Sequence, residues 1–245
     1  MGDHDLTVRF RKARRDPELT VVEGFHALKH ALRFGAELVE AVAVDPAALD
    51  ELSAKLAPDL AGELSGRVER VDARQLAEML PLVPHTGVAA IARRPRFDLA
   101  ATLADPRPAP AVLLEDPRNM GNIGACVRVA AAADAAALLT TGENDPWFPD
   151  AVRGAAGLHF ALPVASLEEL PASDRPLLAI DPDGEELRPE RLPPRAVLAF
   201  GTERHGLSGE LHERADARIA IPMRPGVSSL NLATSVAVVL FAMRL

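Results

Sequence analysis

Between Val112 and Ile221 the chain repeats one pattern: a short unbroken apolar run, a polar loop often carrying glycine, then a stretch of helical periodicity. The runs are Val112–Leu114, Ala137–Leu139, Leu177–Ile180, Val197–Phe200 and Ile219–Ile221. A strand with one wet face alternates polar and apolar residues. Strands apolar on both faces that alternate with helices point instead to a parallel sheet covered on both sides. The expected fold class is α/β. In such open sheets ligands gather at the loops beyond the carboxyl ends of the strands, so those loops are where function is sought. The final stretch, Ser229 to Leu245, reads as a helix apolar nearly all round, which implies burial against the domain or a partner subunit.

The N-terminal half reads as a separate, smaller α/β unit. Val21-Val22-Glu23-Gly24 looks like a strand, Phe25 to Phe34 like a helix stopped by Gly35, and Val39 to Val44 like a second strand. Asp72 to Met79 reads as a helix and Val88 to Ile91 as a closing strand. Pro95, Pro106, Pro108 and Pro110 stiffen the intervening segment. The expected organisation is a basic tail (1–15), a substrate-binding domain (16–93), a proline-rich linker (94–110) and a catalytic domain (111–245).

Bulk properties narrow the class. The 245 residues are 48% hydrophobic and 25% charged, ordinary for a globular protein. The single cysteine, Cys126, excludes an internal disulfide and reads as a small buried hydrophobe in a reducing cytoplasm. No basic-then-apolar leader opens the sequence, and no apolar run approaches the roughly 20 residues a membrane helix requires, so a cytoplasmic protein is expected. A net charge of −8 argues against a general nucleic-acid binder. Yet Arg9, Arg11, Lys12, Arg14 and Arg15 crowd the N-terminus, and Arg93, Arg94 and Arg96 form a second knot of charge. Such clusters are solvated surface or local contacts to an RNA backbone.

Three loops carry unusual polar content. After Val112–Leu114 comes a segment running from Glu115 through Asn119, Gly121, Asn122 and Gly124 to Arg128. Asn122 is a candidate cap for the helix beginning there. After Val197–Phe200 comes Gly201-Thr202-Glu203-Arg204-His205-Gly206-Leu207-Ser208, close to a phosphate-binding loop, but Leu207 stands where that loop needs lysine. A nucleoside triphosphatase is therefore rejected. After Ile219–Ile221 comes Pro222-Met223, followed at a short distance by Ser229-Leu230-Asn231, where Ser229 and Asn231 open the last helix and can cap it.

Together the three loops resemble the motifs of the SpoU (TrmH-like) branch of the SPOUT RNA methyltransferases. Asn122-x-Gly124-x-x-x-Arg128 resembles motif one, Gly201-x-Glu203-x-x-Gly206 motif two, and Ile221-Pro222-Met223 with Ser229-Leu230-Asn231 motif three. Val22-Glu23-Gly24 and His85-Thr86-Gly87-Val88-Ala89 resemble pieces of that family's substrate-binding domain, a small α/β fold similar to RNA-binding ribosomal proteins. Asn119-x-Gly121 offers a second candidate for the motif asparagine, although only Asn122 keeps the usual spacing to Arg128. Val129 and Arg204 depart from residues common in the family.

The resemblance implies an S-adenosylmethionine-dependent enzyme that methylates a ribose 2′-hydroxyl of structured RNA, ribosomal or transfer. It implies a trefoil knot, one of the rare exceptions to unthreaded topology, and a homodimer through the catalytic domain. Gly201, Ile221, Met223 and Leu230 carry over as cofactor contacts, and Arg128, Asn122, Glu203, Ser229 and Asn231 as the catalytic set. Arg128 would fork onto an RNA phosphate. Arginine stays protonated, so a substrate phosphate or water stays open as the base.

His26 and His30 have the i,i+4 spacing of zinc ligands but lack the catalytic glutamate and a third ligand, so no metal is expected. A non-catalytic RNA-binding scaffold would be expected to have lost Arg128, Glu203 or Asn231. Methylation of a base nitrogen is disfavoured by the Ser-Leu-Asn form of motif three.

Overall fold

The computed structural model describes residues 3–60, 62, 64–202 and 206–244, and the chain forms two compact units. The first comprises Met1–Pro95 with Trp147–Ala161, the second Arg96–Pro146 with Leu162–Leu245.

The first unit runs α1 (Asp3–Ala13), β1 (Leu19–Glu23), α2 (Phe25–Arg33), β2 (Leu38–Ala43), α3 (Pro46–Leu56), β3 (Glu69–Arg70), α4 (Ala73–Met79) and β4 (Val88–Arg93). Its sheet has the order β1-β4-β2-β3, with β4 antiparallel to β1 and β2, and β3 parallel to β2. The stretch expected as a basic tail is a helix. Leu6, Phe10 and Ala13 recur at helical spacing and are buried with Val21, Leu76, Met79 and Ile91, so an apolar stripe holds down a segment whose charges dominate its composition. Asp45, whose carboxylate accepts from the amides of Ala47 and Ala48, starts α3 ahead of Pro46.

Residues 147–161 close this unit. Thr20 Oγ1 donates to the Trp147 carbonyl at 2.9 Å beside the edge strand β1, and His30 Nδ1 lies 2.8 Å from the Ala156 carbonyl. The Glu23 side chain is fully buried and accepts from Arg14 and, at 2.5 Å, from Arg153. Two guanidiniums on one carboxylate offset the desolvation that would otherwise expel it from the interior.

The second unit runs α5 (Leu99–Ala104), β5 (Ala111–Leu114), α6 (Met120–Ala132) and β6 (Ala137–Thr140). After α7 (Pro149–Gly154), which belongs to the first unit, come β7 (Val164–Ser166), β8 (Leu177–Glu186), β9 (Val197–Phe200), α8 (Gly209–Arg214), β10 (Ala217–Ala220) and α9 (Leu232–Ala242). The sheet is parallel throughout, in the order β10-β8-β9-β5-β6-β7. As the unbroken apolar runs require, β5, β6 and β9 are buried at every position. Residues of one parity, among them Leu113, Leu139, Ala179 and Ala199, form a core with Leu207 and Leu211, while Val112, Leu114, Leu138 and Leu198 are buried on the other face.

The proline-rich segment is not a plain linker. Asp98 caps α5 within it, and Arg175 ties that helix to the sheet. The Arg175 guanidinium is buried and donates to the carbonyls of Thr102, Leu103, Asp105, Ala109 and Arg195. Burial pushes its pKa down, but the carbonyls of the last turn of α5 supply negative dipole ends in place of water.

Candidate active site at the strand ends of the second unit

The sheet order places β5, β6 and β7 on one side and β9 and β8 on the other, so the strand sequence reverses between β5 and β9. A pocket of 310 Å³ opens beyond the carboxyl ends of β9 and β10, against the middle of β8. Its apolar wall includes Ile180, Phe200, Ile221 and Leu230, and its polar groups include Thr202, Ser229, Ser235 and Asp181. Gly201, Ile221, Met223, Ser229 and Leu230, all expected from sequence, line it.

The loop after β9 folds back tightly. Thr202 and Gly206 exchange backbone hydrogen bonds at 3.0 and 3.1 Å, and a Cβ on Gly201 would stand 2.0 Å from the carbonyl carbon of Gly206. Only glycine fits there, which leaves the loop backbone free to face the pocket. Glu203 lies outside the described residues. Leu207, which stood where a phosphate-binding loop needs lysine, is 8% exposed and belongs to the core. Ser208 caps α8 by accepting from the Leu211 amide, and its own amide donates to Glu115 Oε2 at 2.6 Å.

The cap expected at Asn122 is instead Asn119, whose Oδ1 accepts from the Asn122 amide at 3.0 Å. Asn122 sits inside the first turn of α6, and Asn231 Nδ2 donates to its Oδ1 at 3.1 Å. Asn231 in turn caps α9, accepting from the amides of Ala233 and Thr234. Two helix starts from distant parts of the sequence are thereby joined by one side-chain pair. Arg128 does not line the pocket. It is exposed on α6, roughly 9 Å along the axis from Asn122 at 1.5 Å per residue, and its side chain makes no hydrogen bond or ion pair among the described residues.

One contributor was missed from sequence. Ile180, Asp181 and Pro182 line the pocket where the ladder between β8 and β10 shifts register, Arg218 facing Ala179 but Ile219 facing Glu185. Asp181 Oδ1 accepts from the Asp183 amide at 2.8 Å, and its Oδ2 lies 3.0 Å from His212 Nε2, within ion-pair distance but not aligned as a hydrogen bond. The signal was available: Asp-Pro-Asp-Gly directly follows an apolar run, as the other loops do.

The SpoU rRNA methylase family model matches residues 109–241, more than half of the chain. The chain belongs to the SpoU rRNA methylase family. The model for RNA 2′-O ribose methyltransferase substrate binding matches residues 21–98. A 23S rRNA (adenosine(1067)-2′-O)-methyltransferase of Streptomyces azureus is 29% identical over 247 residues, covering 94% of this chain and 87% of that protein. A tRNA/rRNA methyltransferase of Mycobacterium bovis, described as uncharacterised, is 32% identical over 206 residues, covering 78% and 70%. The SpoU methyltransferase AviRb of Streptomyces viridochromogenes has the same fold, with a TM-score of 0.77 at 21% identity over 97% of this chain and 96% of that one. An rRNA methyltransferase of Sinorhizobium meliloti, solved with S-adenosylmethionine bound, gives 0.74 at 25% identity over 98% and 93%.

The SpoU chain described here is accordingly an S-adenosylmethionine-dependent methyltransferase of RNA ribose 2′-hydroxyls, and the non-catalytic scaffold is set aside. The pocket suits that cofactor by its own geometry. Apolar side chains can flank a flat purine, hydroxyls can meet a ribose, and the crowding at Gly201 keeps a side chain out of the cavity.

Proposed function

We propose that the substrate is ribosomal RNA and that Arg128, Asn122, Glu203, Ser229 and Asn231 form the catalytic set, with Gly201, Ile221, Met223 and Leu230 holding the cofactor. The observation that carries this reading is the convergence of residues from the second and third loops on one pocket, tied to the first loop by the Asn122–Asn231 pair. Two relatives spanning 94% and 96% of the chain carry 23S rRNA 2′-O-methyltransferase names, which favours ribosomal over transfer RNA.

When bound, S-adenosylmethionine supplies a methyl group activated by the adjacent sulfonium, so the protein's task is placement and electrostatics. Arg128, exposed and without a protein partner among the described residues, presents both edges of its guanidinium to an RNA phosphate and so positions the neighbouring ribose. Asn122 and Asn231 brace the start of α6 against the start of α9. Ser229 offers a hydroxyl at the pocket wall, and Glu203 orients the arginine or the ribose. The 2′-hydroxyl proton leaves to a substrate phosphate or to water, since a guanidinium cannot accept it.

In this reading residues 16–93 engage RNA, residues 111–245 carry the chemistry, and the loop from Ile221 to Asn231 is threaded as a trefoil knot. Support for the knot is that this loop and the Gly201–Gly206 loop share one cavity while α9 packs on α6. The active form is a cytoplasmic homodimer through the catalytic domain, which the exposed Val238 and Phe241 of the apolar helix α9 favour.

The test is Arg128→Ala, assayed with radiolabelled cofactor on ribosomal and transfer RNA from cells lacking the gene. Methyl transfer to rRNA should fall at least ~100-fold, on the scale of losing one preorganised charge contact. Cofactor affinity should stay within about twofold, because Arg128 is outside the pocket. Full turnover by the variant would overturn the assignment of Arg128, and a product methylated on a base would overturn the ribose reading.

A further inference from the structure

The five N-terminal basic residues have no part in the site described above. Four of them, Arg11, Lys12, Arg14 and Arg15, line one open groove of 1040 Å³ in the first unit, together with Phe148. The arrangement follows from α1 itself. Its apolar stripe is buried at Leu6, Phe10 and Ala13, and the cations fall in and just after its last turn, where the negative end of the helix dipole favours them.

The four cations differ in how they are held. Arg11 is fixed by two hydrogen bonds to the Glu78 carbonyl, at 2.7 and 3.0 Å. Arg14 is fixed by the buried Glu23 and lies 5.6 Å over the Phe148 ring. Lys12 and Arg15 are exposed, and their side chains make no hydrogen bond or ion pair among the described residues. The one carboxylate in the lining, Asp16, accepts from the Glu18 amide. Two immobilised guanidiniums and two free cations therefore face one acid in a protein whose overall charge is −8.

The groove is open to solvent and presents four cations from consecutive turns of one segment, which suits the repeated phosphates of a polymer better than a single free anion. Except for Met79 and Pro81, its lining lies outside the matched substrate-binding segment 21–98. We propose that this groove binds the phosphodiester backbone of the substrate RNA, with Lys12 and Arg15 as the phosphate contacts and Arg11 and Arg14 as its rigid wall. The proposal rests on the reading of RNA as substrate.

The test uses the full-length protein and the double variant Lys12→Ala/Arg15→Ala, both side chains being solvent-exposed and outside the catalytic set. Equilibrium binding to deproteinised ribosomal RNA is followed by filter retention across a salt series, and methyl transfer is assayed in parallel. The variant should bind about tenfold more weakly at 150 mM salt, and its log K against log salt slope should be shallower by about 1.4 to 1.8, two phosphates' worth. KM for rRNA should rise while kcat and cofactor affinity hold, and Lys12→Arg/Arg15→Lys should restore the slope. An unchanged slope would overturn the proposal. So would a defect seen with intact ribosomal subunits but absent on naked RNA, which would make the occupant an acidic protein. Failure of the wild-type protein to methylate any RNA would strike the proposed function instead, and the binding slopes would still decide the groove.

Discussion

The strand-end pocket of the second unit and the Glu23 centre of the first are both places where distant segments meet, but they are built from opposite materials. The pocket is shaped by backbone crowding: Gly201 pressed against Gly206, a register shift in β8, and two asparagines bridging helix starts. The Glu23 centre is shaped by charge, one buried carboxylate gathering Arg14 from nine residues before it and Arg153 from 130 after it. Backbone crowding constrains which residue type can stand at each position, so it leaves motifs. A buried ion pair leaves less: Glu23 stands in the Val22-Glu23-Gly24 segment, but nothing in the sequence pairs it with Arg14 and Arg153.

If charge closes the first unit, breaking it should be the most costly single change away from the catalytic chemistry. Glu23→Ala leaves two arginines with only the half-exposed Asp150 nearby, 3.0 Å from Arg153 and 3.9 Å from Arg14. Loss of one partner from a buried pair costs about 3–5 kcal/mol. Chemical denaturation followed by circular dichroism should show that loss, and the low-temperature affinity for S-adenosylmethionine should be preserved. A variant as stable as the parent would mean that apolar packing, not Glu23, holds residues 147–161 in place.

Backbone crowding makes the complementary prediction. Gly201→Ala places a methyl group 2.0 Å from the Gly206 carbonyl carbon, so the loop must be displaced from the pocket. Overpacking of this kind costs about 1–3 kcal/mol, and most of it should appear in cofactor binding, a weakening of roughly 100-fold by calorimetry. Unaltered affinity would show that the loop relaxes freely and that glycine is not demanded there by close approach.

The same contrast explains what could be read before the structure was known. The parallel sheet was legible because strands buried on both faces must be apolar throughout, as β5, β6 and β9 are. Most of the pocket was legible because its loops carry position-specific residues. Helix α1 was hidden by its charges, although Leu6, Phe10 and Ala13 held the stripe that folds it. Helix α5 was hidden by the prolines around it, and its anchor, Arg175, lies some seventy residues away. The assignment of residues 147–161 to the first unit depends on hydrogen bonds such as Thr20 to Trp147, which leave no periodicity to detect. Asn119 and Asn122 both stood as candidates for the motif asparagine, and Asn122 was the expected cap; geometry separates them, Asn119 capping α6 and Asn122 meeting Asn231.

The smallest expected effect tests whether the first unit is sensitive to charge beyond Glu23. Burial lowers the His30 pKa below its usual 6.5, helped by Lys29, Arg33 and His26, while the Ala156 carbonyl opposes the shift. A histidine that is harder to protonate in the folded state than in the unfolded state binds fewer protons when folded. Stability is therefore highest above pH 6.5 and declines as the pH falls through that value toward the lowered folded pKa, below which the loss is complete. Because His30 is only partly buried, the change should be well under the roughly 1.4 kcal/mol of a full pKa unit. Melting curves between pH 7.5 and 5.5 should show a downward slope that flattens in His30→Gln, whose amide can still donate to the Ala156 carbonyl without titrating. A slope identical in the variant would assign the acid sensitivity to other groups and leave Glu23 as the one charge on which the first unit depends.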